Sequence, residues 1–242
     1  SVPRCGTEFW FIIYIMKKFD IITIFPQILD SYFNESLLKK AQEKGLLKIQ
    51  THNLRDFTSD KHRKVDDTPY GGGPGMVLKI EPIYKAVQSL RSKVLPAGRH
   101  GKSQKSKVRV ILFSLRGKKF DQKEAHRLAK YGQLIFICGR YEGVDERVAE
   151  YVADEEISIG DYILSGGELP AAIVIEAVSR LIPGMLGKLE SLEEKKGSYP
   201  VYTKPESIEL KVKSQKSKVI KVPKVLLSGN HKKIEEWREK NS

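Results

Sequence analysis

Cysteine, tryptophan and methionine are scarce in this chain, which contains two, two and three of them among 242 residues. The two cysteines, Cys5 and Cys138, can form neither a disulfide framework nor a zinc site by themselves. The five histidines are scattered without the spacing of metal ligands, so we predict no metal-binding residues. This cysteine usage favours a reducing compartment, and we expect a cytoplasmic protein.

Long hydrophobic runs and the common nucleotide-binding motifs are also missing. The apolar run within residues 8–15 is well below the roughly 18 residues that cross a bilayer, so we expect no membrane association. The glycine cluster at 71–75 lacks the Gly-Lys-Ser/Thr ending of a P-loop, and glycine content alone favours a structural turn there. No Gly-x-Gly-x-x-Gly follows a strand-like segment, which argues against an ordinary dinucleotide-binding oxidoreductase.

Positive charge is abundant but confined to two segments. The net charge of +13 equals the combined excess of residues 91–109 and 211–224, which contain thirteen Lys/Arg and no acid. Each segment includes the heptapeptide Lys-Ser-Gln-Lys-Ser-Lys-Val, at 102–108 and 213–219. We interpret both as inserted, solvated and mobile surface segments. Contact with an RNA backbone is the alternative.

Strand-like and helix-like segments alternate through the first 180 residues. The strand-like segments are 19–25, 46–52, 108–113 and 134–137, and the helical ones are 28–44, 82–90, a helix capped by Asp121, and one opened by Pro170. This alternation predicts a mostly parallel α/β sheet. After the polar stretch 184–202, a small C-terminal unit should end in a helix at 231–240.

Two motifs carry most of the functional information. Cys138-Gly-Arg-Tyr-Glu-Gly143 follows the buried strand 134–137, and Ser158-Ile-Gly-Asp-Tyr-Ile-Leu-Ser-Gly-Gly-Glu168 precedes the helix at Pro170. Glycine-rich loops at strand ends are the usual place for a ligand pocket in an α/β domain. From spacing alone, Glu142 and Arg180 are more often surface ion-pairing residues than functional ones, and Asp66 and Asp67 are more often solvated.

Taken in order, several segments resemble the bacterial tRNA (guanine-N1)-methyltransferases, the TrmD type of the knotted SPOUT superfamily. The resemblance starts near Met16 and rests on the two motifs above and on six further segments: 24–26, 53–57, 67–76, 178–184, 199–203 and 226–231. It implies an α/β fold of SPOUT type, with a parallel sheet, a deep trefoil knot and a small, mainly helical C-terminal domain. It also implies a homodimer.

The resemblance further implies S-adenosylmethionine as cofactor, bound by three loops, with magnesium as an assisting ion. The positions that match cofactor contacts are Leu112, Phe113, Ser114, Gly117, Gly139, Ser158, Ile159, Gly160, Asp161, Tyr162, Ile163, Leu164, Gly166, Gly167 and Pro170. The implied substrate is tRNA, methylated at N1 of the guanine just 3′ of the anticodon. Asp66 and Gly75 match positions near the guanine pocket, Glu142 matches a pocket carboxylate, and Arg180 matches a charge-stabilising arginine.

The chain departs from the family in its linker and in its first loop. Where the family has Glu-Asp-Ser-Phe with an aspartate base, this chain has Glu-Ser-Leu-Glu-Glu-Lys-Lys-Gly at 190–197, which places Lys195 or, with a one-residue gap, Glu194 at that position. We predict Glu194 as the base, with Glu193 as its substitute, because a lysine is protonated at neutral pH. The first loop has Ser-Leu-Arg-Gly at 114–117 where the family favours Ser-Pro-Gln-Gly.

These observations predict four regions: an upstream extension at 1–15, a knotted catalytic domain at 16–184, a flexible linker at 185–202, and a tRNA-binding domain at 203–242 whose end is shorter than in the family. The expected function is methyl transfer to tRNA. A catalytically impaired tRNA-binding relic is the alternative, and a knotted methyltransferase for another RNA is disfavoured.

Overall fold

The computed structural model describes residues 16–92, 107–186, 199–211 and 217–241. The chain divides into two compact units, with the boundary after Met185. The first unit contains the strands β1 (Lys17–Thr23), β2 (Leu47–Asn53), β3 (Asp66–Asp67), β4 (Val77–Leu78), β5 (Val108–Lys119), β6 (Gln133–Ile137) and β7 (Glu155–Ser158). Its helices are α1 (Asp30–Phe33), α2 (Ser36–Glu43), α3 (Ile80–Ser92), α4 (Gln122–Ala129), α5 (Glu146–Tyr151) and α6 (Glu168–Ser179), with a 3₁₀ turn at Leu54–Phe57.

Five strands form one sheet in the order β2-β1-β6-β5-β7, and every pair in it is parallel. This confirms the mostly parallel α/β sheet predicted from the alternating segments. All five residues of β6 are buried, as expected for a strand inside a parallel sheet that is covered on both faces. Because the strands are parallel, residues 114–117 inside β5, beyond its pairing with β6, emerge at the same edge as the loops that follow β6 and β7.

Hydrophobic side chains pack on both faces of the sheet. On one face, Phe19, Ile21 and Phe136 lie in a cluster with buried residues of α2, α4 and α6. On the other face, Ile22 and Ile135 lie in a second cluster with buried residues of α3 and α5. Successive residues of a strand point to opposite faces, so β1 contributes to both clusters. The result is a three-layer α/β/α unit.

Several local predictions are confirmed, and others need correction. The Asp121 side chain accepts a hydrogen bond from the Glu124 backbone and caps α4 as expected. The helix predicted at 28–44 is instead two short helices, because Ser36 has φ +51°, which a continuous right-handed helix does not allow. Helix α6 begins at Glu168, so Pro170 lies within its first turn, where proline is tolerated, rather than at its first position.

The second unit contains an antiparallel hairpin, β8 (Ser207–Lys211) with β9 (Ser217–Lys221), and the helices α7 (Lys224–Leu227) and α8 (His231–Lys240). It therefore has strands as well as the expected helices, and α8 has the predicted bounds. Within the second basic segment, residues 217–221 form a strand rather than a mobile loop. The reason is that their main chain pairs with β8, where Lys221 lies opposite Ser207 and Ser217 lies opposite Lys211.

Candidate functional site

An open cavity of about 380 Å³ lies at the edge of the sheet where β5, β6 and β7 end. Its wall comes from the loop inside β5, the loop after β6 and the loop after β7. The predicted cofactor residues on this wall are Leu112, Phe113, Ser114, Gly139, Ser158, Ile159, Gly160, Tyr162, Ile163, Leu164, Gly166, Gly167 and Pro170. The three segments, which the family resemblance alone had related to one another, thus form one concave surface.

The first wall segment is a four-residue excursion within β5. Phe113 and Lys118 both pair with Ile157 of β7, so residues 114–117 project out of the strand ladder. Gly117 is absent from the cavity wall, because it touches β7 instead. A Cβ atom at Gly117 would lie 2.5 Å from the Ile157 backbone nitrogen, so only glycine allows this approach. The close contact of Gly117 with β7 therefore holds the loop in place on the side away from the cavity.

The second wall segment, after β6, is tied to the hairpin of β3 and β4. The Glu142 backbone donates to the Met76 carbonyl at 3.1 Å, and the Leu78 backbone donates to the Gly143 carbonyl at 3.0 Å. Tyr141 has φ +59°, a strained conformation for a residue with a side chain. A Cβ atom at Gly75 would lie 2.5 Å from Glu142 Cγ, so Gly75 packs directly against that side chain. Glu142 and Gly75, predicted from the resemblance, are therefore neighbours.

The third wall segment, 158–167, lies against the second. The Gly167 backbone donates to the Gly139 carbonyl at 3.1 Å, and a Cβ atom at Gly167 would lie 2.7 Å from Cys138 Cα. Tyr162, Ile163 and Leu164 remain exposed along the cavity rim. Asp161, although on this loop, is absent from the wall, because its carboxylate pairs outward with Lys119.

Two polar atoms of the wall are buried without a hydrogen-bond partner among the described residues. They are Ser114 Oγ and Glu156 Oε2, both of which belong to cavity-lining residues. Buried polar atoms are normally hydrogen-bonded, so these two favour a ligand that brings hydroxyl or amino donors into the cavity. Arg116, on the rim, donates to both Glu146 oxygens at 2.8 Å.

The cysteine beside the cavity is not a nucleophile. Cys138 is a buried free thiol. Burial, reinforced by the negative charge of Glu168, raises the pKa of the Cys138 thiol well above its ordinary value, although Arg140 acts in the opposite direction. The thiol therefore stays protonated at neutral pH, which excludes thiolate chemistry at this position.

The remaining predicted residues lie elsewhere or outside the described ranges. Arg180 follows α6 as its C-terminal cap and is absent from the cavity wall. Asp66 lies in β3, paired with Leu78 of β4, and is likewise absent from the wall. Glu193 and Glu194 fall outside the described residues. Within the described residues, no group of three or more His, Cys, Asp or Glu side chains could hold a metal ion. The described residues therefore do not support a magnesium site.

Sequence reasoning missed several polar residues of this region. Arg116, Arg140, Glu146 and Glu156 line the cavity, and Glu168 is buried against Arg140. Arg140 and Glu168 lay inside the two quoted motifs, but nothing in their spacing indicated that they pair. Glu156 had no sequence signal.

The helices of the described part of the chain include none long and apolar enough to span a membrane.

Comparison with known proteins agrees with this geometry. The family model described as "tRNA (Guanine-1)-methyltransferase TrmD" matches residues 16–242. A protein of Dictyoglomus turgidum named tRNA (guanine-N(1)-)-methyltransferase is 50% identical over 232 residues, which are 94% of this chain and 85% of the relative. One of the same name from Bacillus subtilis is 46% identical over 93% of this chain and 87% of its own length.

The solved structures lead to the same family. The crystal structure of tRNA (m1G37) methyltransferase from Aquifex aeolicus is similar with a TM-score of 0.70 and 41% sequence identity, covering 92% of this chain and 87% of that one. Similarity at this level extends over both units and not over the cavity alone. The chain therefore belongs to the TrmD family of tRNA (guanine-1)-methyltransferases.

Proposed function

We propose that this protein transfers a methyl group from S-adenosylmethionine to N1 of the guanine just 3′ of the anticodon in tRNA. The observation that carries the proposal is that three glycine-containing loops, one inside β5 and two at the carboxyl ends of β6 and β7, form one shared cavity. Membership of the family and the names of its relatives support the reaction. A tRNA substrate implies a cytoplasmic enzyme.

The residues of the cavity suit an adenosine-containing ligand. Leu164, Tyr162 and Ile163 offer apolar surface for a flat ring, and Gly139 leaves room for close backbone contact. At Gly160 the Tyr162 ring itself occupies that space. Ser114 Oγ and Glu156 Oε2 form no hydrogen bond with the described residues, although Arg116 lies 4.0 Å from Glu156 Oε2, and both are acceptors suited to ribose hydroxyls or an exocyclic amine. When bound, S-adenosylmethionine would supply an electrophilic methyl group on a sulfonium.

Methylation of guanine N1 also requires loss of the proton on that nitrogen, and negative charge develops on the ring. We propose Glu194 as the base, with Glu193 as its substitute, and Arg180 as the cation that stabilises the developing charge. Glu142 would face the guanine from the cavity wall, with Gly75 packed against it and Asp66 on the adjoining hairpin. The guanine would leave its stack to reach this cavity.

The functional protein would be a knotted homodimer. Arg180 is absent from the cavity wall of its own chain, so a second copy would have to supply it. An exposed apolar surface supports such a copy. Leu169 and Ile173 are one turn apart on α6, are 57% and 44% exposed, and lie on the side of the helix where Glu176 accepts a hydrogen bond from Tyr32.

The direct test is methyl transfer to an unmodified tRNA transcript with guanine at the target position, compared with the same transcript carrying adenine there. We expect N1-methylguanosine in digests of the first tRNA only. A protein that binds S-adenosylmethionine and tRNA without transferring the methyl group would be the relic, and methylation at another position would contradict the proposed target.

A second test addresses the base. In single-turnover reactions, Glu194→Gln should slow methyl transfer by roughly a hundredfold or more while tRNA and cofactor affinity are kept, and Glu193→Gln should slow it less. If both single variants and the double variant react like the parent, the base is another group.

A further inference from the structure

A buried carboxylate joins three chain segments beside the cavity. Glu168, the first residue of α6, is 2% exposed. Its Oε1 accepts a hydrogen bond at 2.6 Å from Thr23 Oγ1, at the end of β1, and another at 3.2 Å from Arg140 Nε, in the loop after β6. An Arg140 terminal nitrogen also lies 2.9 Å from Glu168 Oε2. The sheet, the second wall segment and the helix that follows the third are thus linked through one side chain.

Arg140 passes this link on to the third wall segment. Its Nη1 donates to the Ser165 carbonyl at 3.3 Å, and its backbone forms a bridge with Gly166. Its guanidinium also lies over the Phe25 ring, 4.9 Å from the centroid. A Cβ atom at Gly166 would lie 2.3 Å from Arg140 Nε, so there is no free space between the two loops at this point. Arg140, together with the backbone hydrogen bond from Gly167 to Gly139, therefore sets how far segment 158–167 lies from segment 139–143.

The energetics make Glu168 the anchor of this arrangement. A carboxylate removed from water is stable only when it is paired and hydrogen-bonded. Here Thr23 and Arg140 donate hydrogen bonds to Oε1, and Arg140 is the ionic partner of Oε2, which accepts no hydrogen bond from the described residues. In return, the planar guanidinium of Arg140, with donors in several directions, is held so that one of them reaches the Ser165 carbonyl. Without the Glu168 charge, the backbone contact to segment 158–167 would rest on a guanidinium without its ionic partner.

We infer that Glu168, acting through Arg140 and fixed by Thr23, is a positioning residue that keeps the two glycine-rich loops at the separation that S-adenosylmethionine binding requires. This inference rests on the proposed function and deepens it. Neither Glu168 nor Thr23 lines the cavity, so their effect on the cofactor is indirect. The expected signature is weaker cofactor binding with a nearly unchanged rate at saturation.

The chain provides a matched control for removal of a buried charge. Glu124 is also in the first turn of a helix, α4, is 5% exposed, and pairs with Arg127 at 2.6 Å and with Lys118 at 2.5 Å. It is absent from the cavity wall. Glu168→Gln and Glu124→Gln therefore remove the same charge from similar surroundings. Glu124 pairs with Lys118, next to the first wall segment, and only Glu168 is joined to segments 139–143 and 158–167.

The experiment measures S-adenosylmethionine affinity by calorimetry, the KM and kcat for methyl transfer with saturating tRNA, and the melting temperature, all on the full chain. For Glu168→Gln we expect Kd and KM to rise about tenfold or more, with kcat within about threefold of the parent. For Glu124→Gln we expect Kd to stay within about twofold of the parent value, even if its melting temperature falls as much as that of Glu168→Gln. Arg140→Lys should behave like Glu168→Gln, since lysine lacks the fork that reaches both Glu168 and Ser165.

A pair of variants at Thr23 keeps the inference testable if Glu168→Gln fails to fold. Thr23→Val removes the hydroxyl donor with little change in shape and should weaken cofactor binding by roughly three- to tenfold, whereas Thr23→Ser retains the donor and should bind like the parent. Equal weakening by Thr23→Val and Thr23→Ser, or by Glu168→Gln and Glu124→Gln, would show a merely structural ion pair. If the parent binds the cofactor and Glu168→Gln binds it as tightly, the inference is overturned. If the parent itself does not bind the cofactor, the proposed function fails instead.

Discussion

The two units of this protein differ sharply in how much they bury. The first unit has two hydrophobic clusters, one on each face of its sheet. In the second unit, none of the side chains described within 199–241 is buried. Its aromatic contacts include Tyr202 with Trp237, whose ring centroids are 6.3 Å apart, and Arg238 over the Tyr199 ring. Burial of apolar surface is the main source of stability, so the first unit holds most of the folding free energy.

The second unit carries charge instead. Residues 199–242 contain eleven Lys/Arg and five Asp/Glu. A small, exposed and basic unit is suited to bind a polyanion and to gain stability from it, because binding to the folded form alone shifts the folding equilibrium. We therefore expect separate tasks for the two units: the first would hold the cofactor and the second would contact tRNA.

The largest expected effect tests the difference in burial. Phe136 is fully buried and stacks against Phe113, with ring centroids 5.6 Å apart, so Phe136→Ala should lower the free energy of unfolding of the first unit by about 3–5 kcal/mol. Trp237→Ala, in the second unit, should lower it by less than about 1 kcal/mol. Urea titration followed by hydrogen exchange of β6 amides measures both. Similar decreases would mean that the stability of the two units is not separate.

The next effect concerns a lysine buried in the first unit. Lys17 is 5% exposed, its Nζ donates to the Leu128 carbonyl at 2.7 Å and to the Tyr131 carbonyl, and burial lowers the pKa of its ammonium group to about 7. Between about pH 7 and 10.5, Lys17 is protonated in the unfolded chain but neutral in the folded protein, so the unfolded chain binds one more proton. The Lys17 contribution therefore makes stability rise with pH across that window.

Chemical denaturation of the parent and of Lys17→Met at pH 7 and pH 9.5 measures this contribution. The parent should gain stability relative to the variant by about 2–4 kcal/mol over that interval. Lys39→Met, on the exposed side of α2, controls for the removal of a positive charge. A constant difference at the two pH values would show that the carbonyl contacts outweigh the burial of the charge.

A smaller effect tests whether the cavity belongs to the first unit alone. A Cβ atom at Gly139 would lie 3.6 Å from Val144 Cγ1, so Gly139→Ala fits the protein itself, and we expect the added methyl group to intrude on the cavity that Gly139 lines. We expect S-adenosylmethionine affinity to fall by roughly ten- to a hundredfold while the melting temperature and tRNA affinity change little. Gly167→Val is the poorer variant, because its side chain would meet the Cys138 backbone. Unchanged cofactor affinity in folded Gly139→Ala would contradict the assignment of this loop.

The smallest expected effect concerns the second unit, where we expect a change in tRNA binding and none in cofactor affinity. Lys232 and Lys233 are exposed on α8, and Lys232→Gln with Lys233→Gln should leave cofactor affinity and melting temperature unchanged. The log–log slope of tRNA affinity against salt should become shallower by roughly 0.7–0.9 for each phosphate that a lysine no longer neutralises. Glu236→Gln serves as a control of opposite charge on the same helix. A salt slope equal to that of the parent would show that these lysines do not contact tRNA.

The local pattern of residues determined much of the fold and of the site. Buried runs such as 134–137 predicted the strands, Asp121 predicted the start of α4, and the two glycine-rich motifs predicted loops at strand ends that line a cavity. These features depend on neighbours in the chain, through side-chain periodicity, capping and glycine conformations, so a sequence can specify them directly. The family, too, followed from the order of such motifs.

Tertiary structure alone decided which distant residues meet. Thr23 and Glu168 are separated by 145 positions, yet one hydrogen bond joins them. Gly117 faces the β7 backbone rather than the cavity, and Ser36 interrupts the helix that was predicted to be continuous over 28–44. Such outcomes depend on strand order and on packing between segments far apart in the chain, which local propensity does not encode. The sequence by itself thus determined the loops that form the cavity, and the sheet order β2-β1-β6-β5-β7 determined the buried pair that holds two of them together.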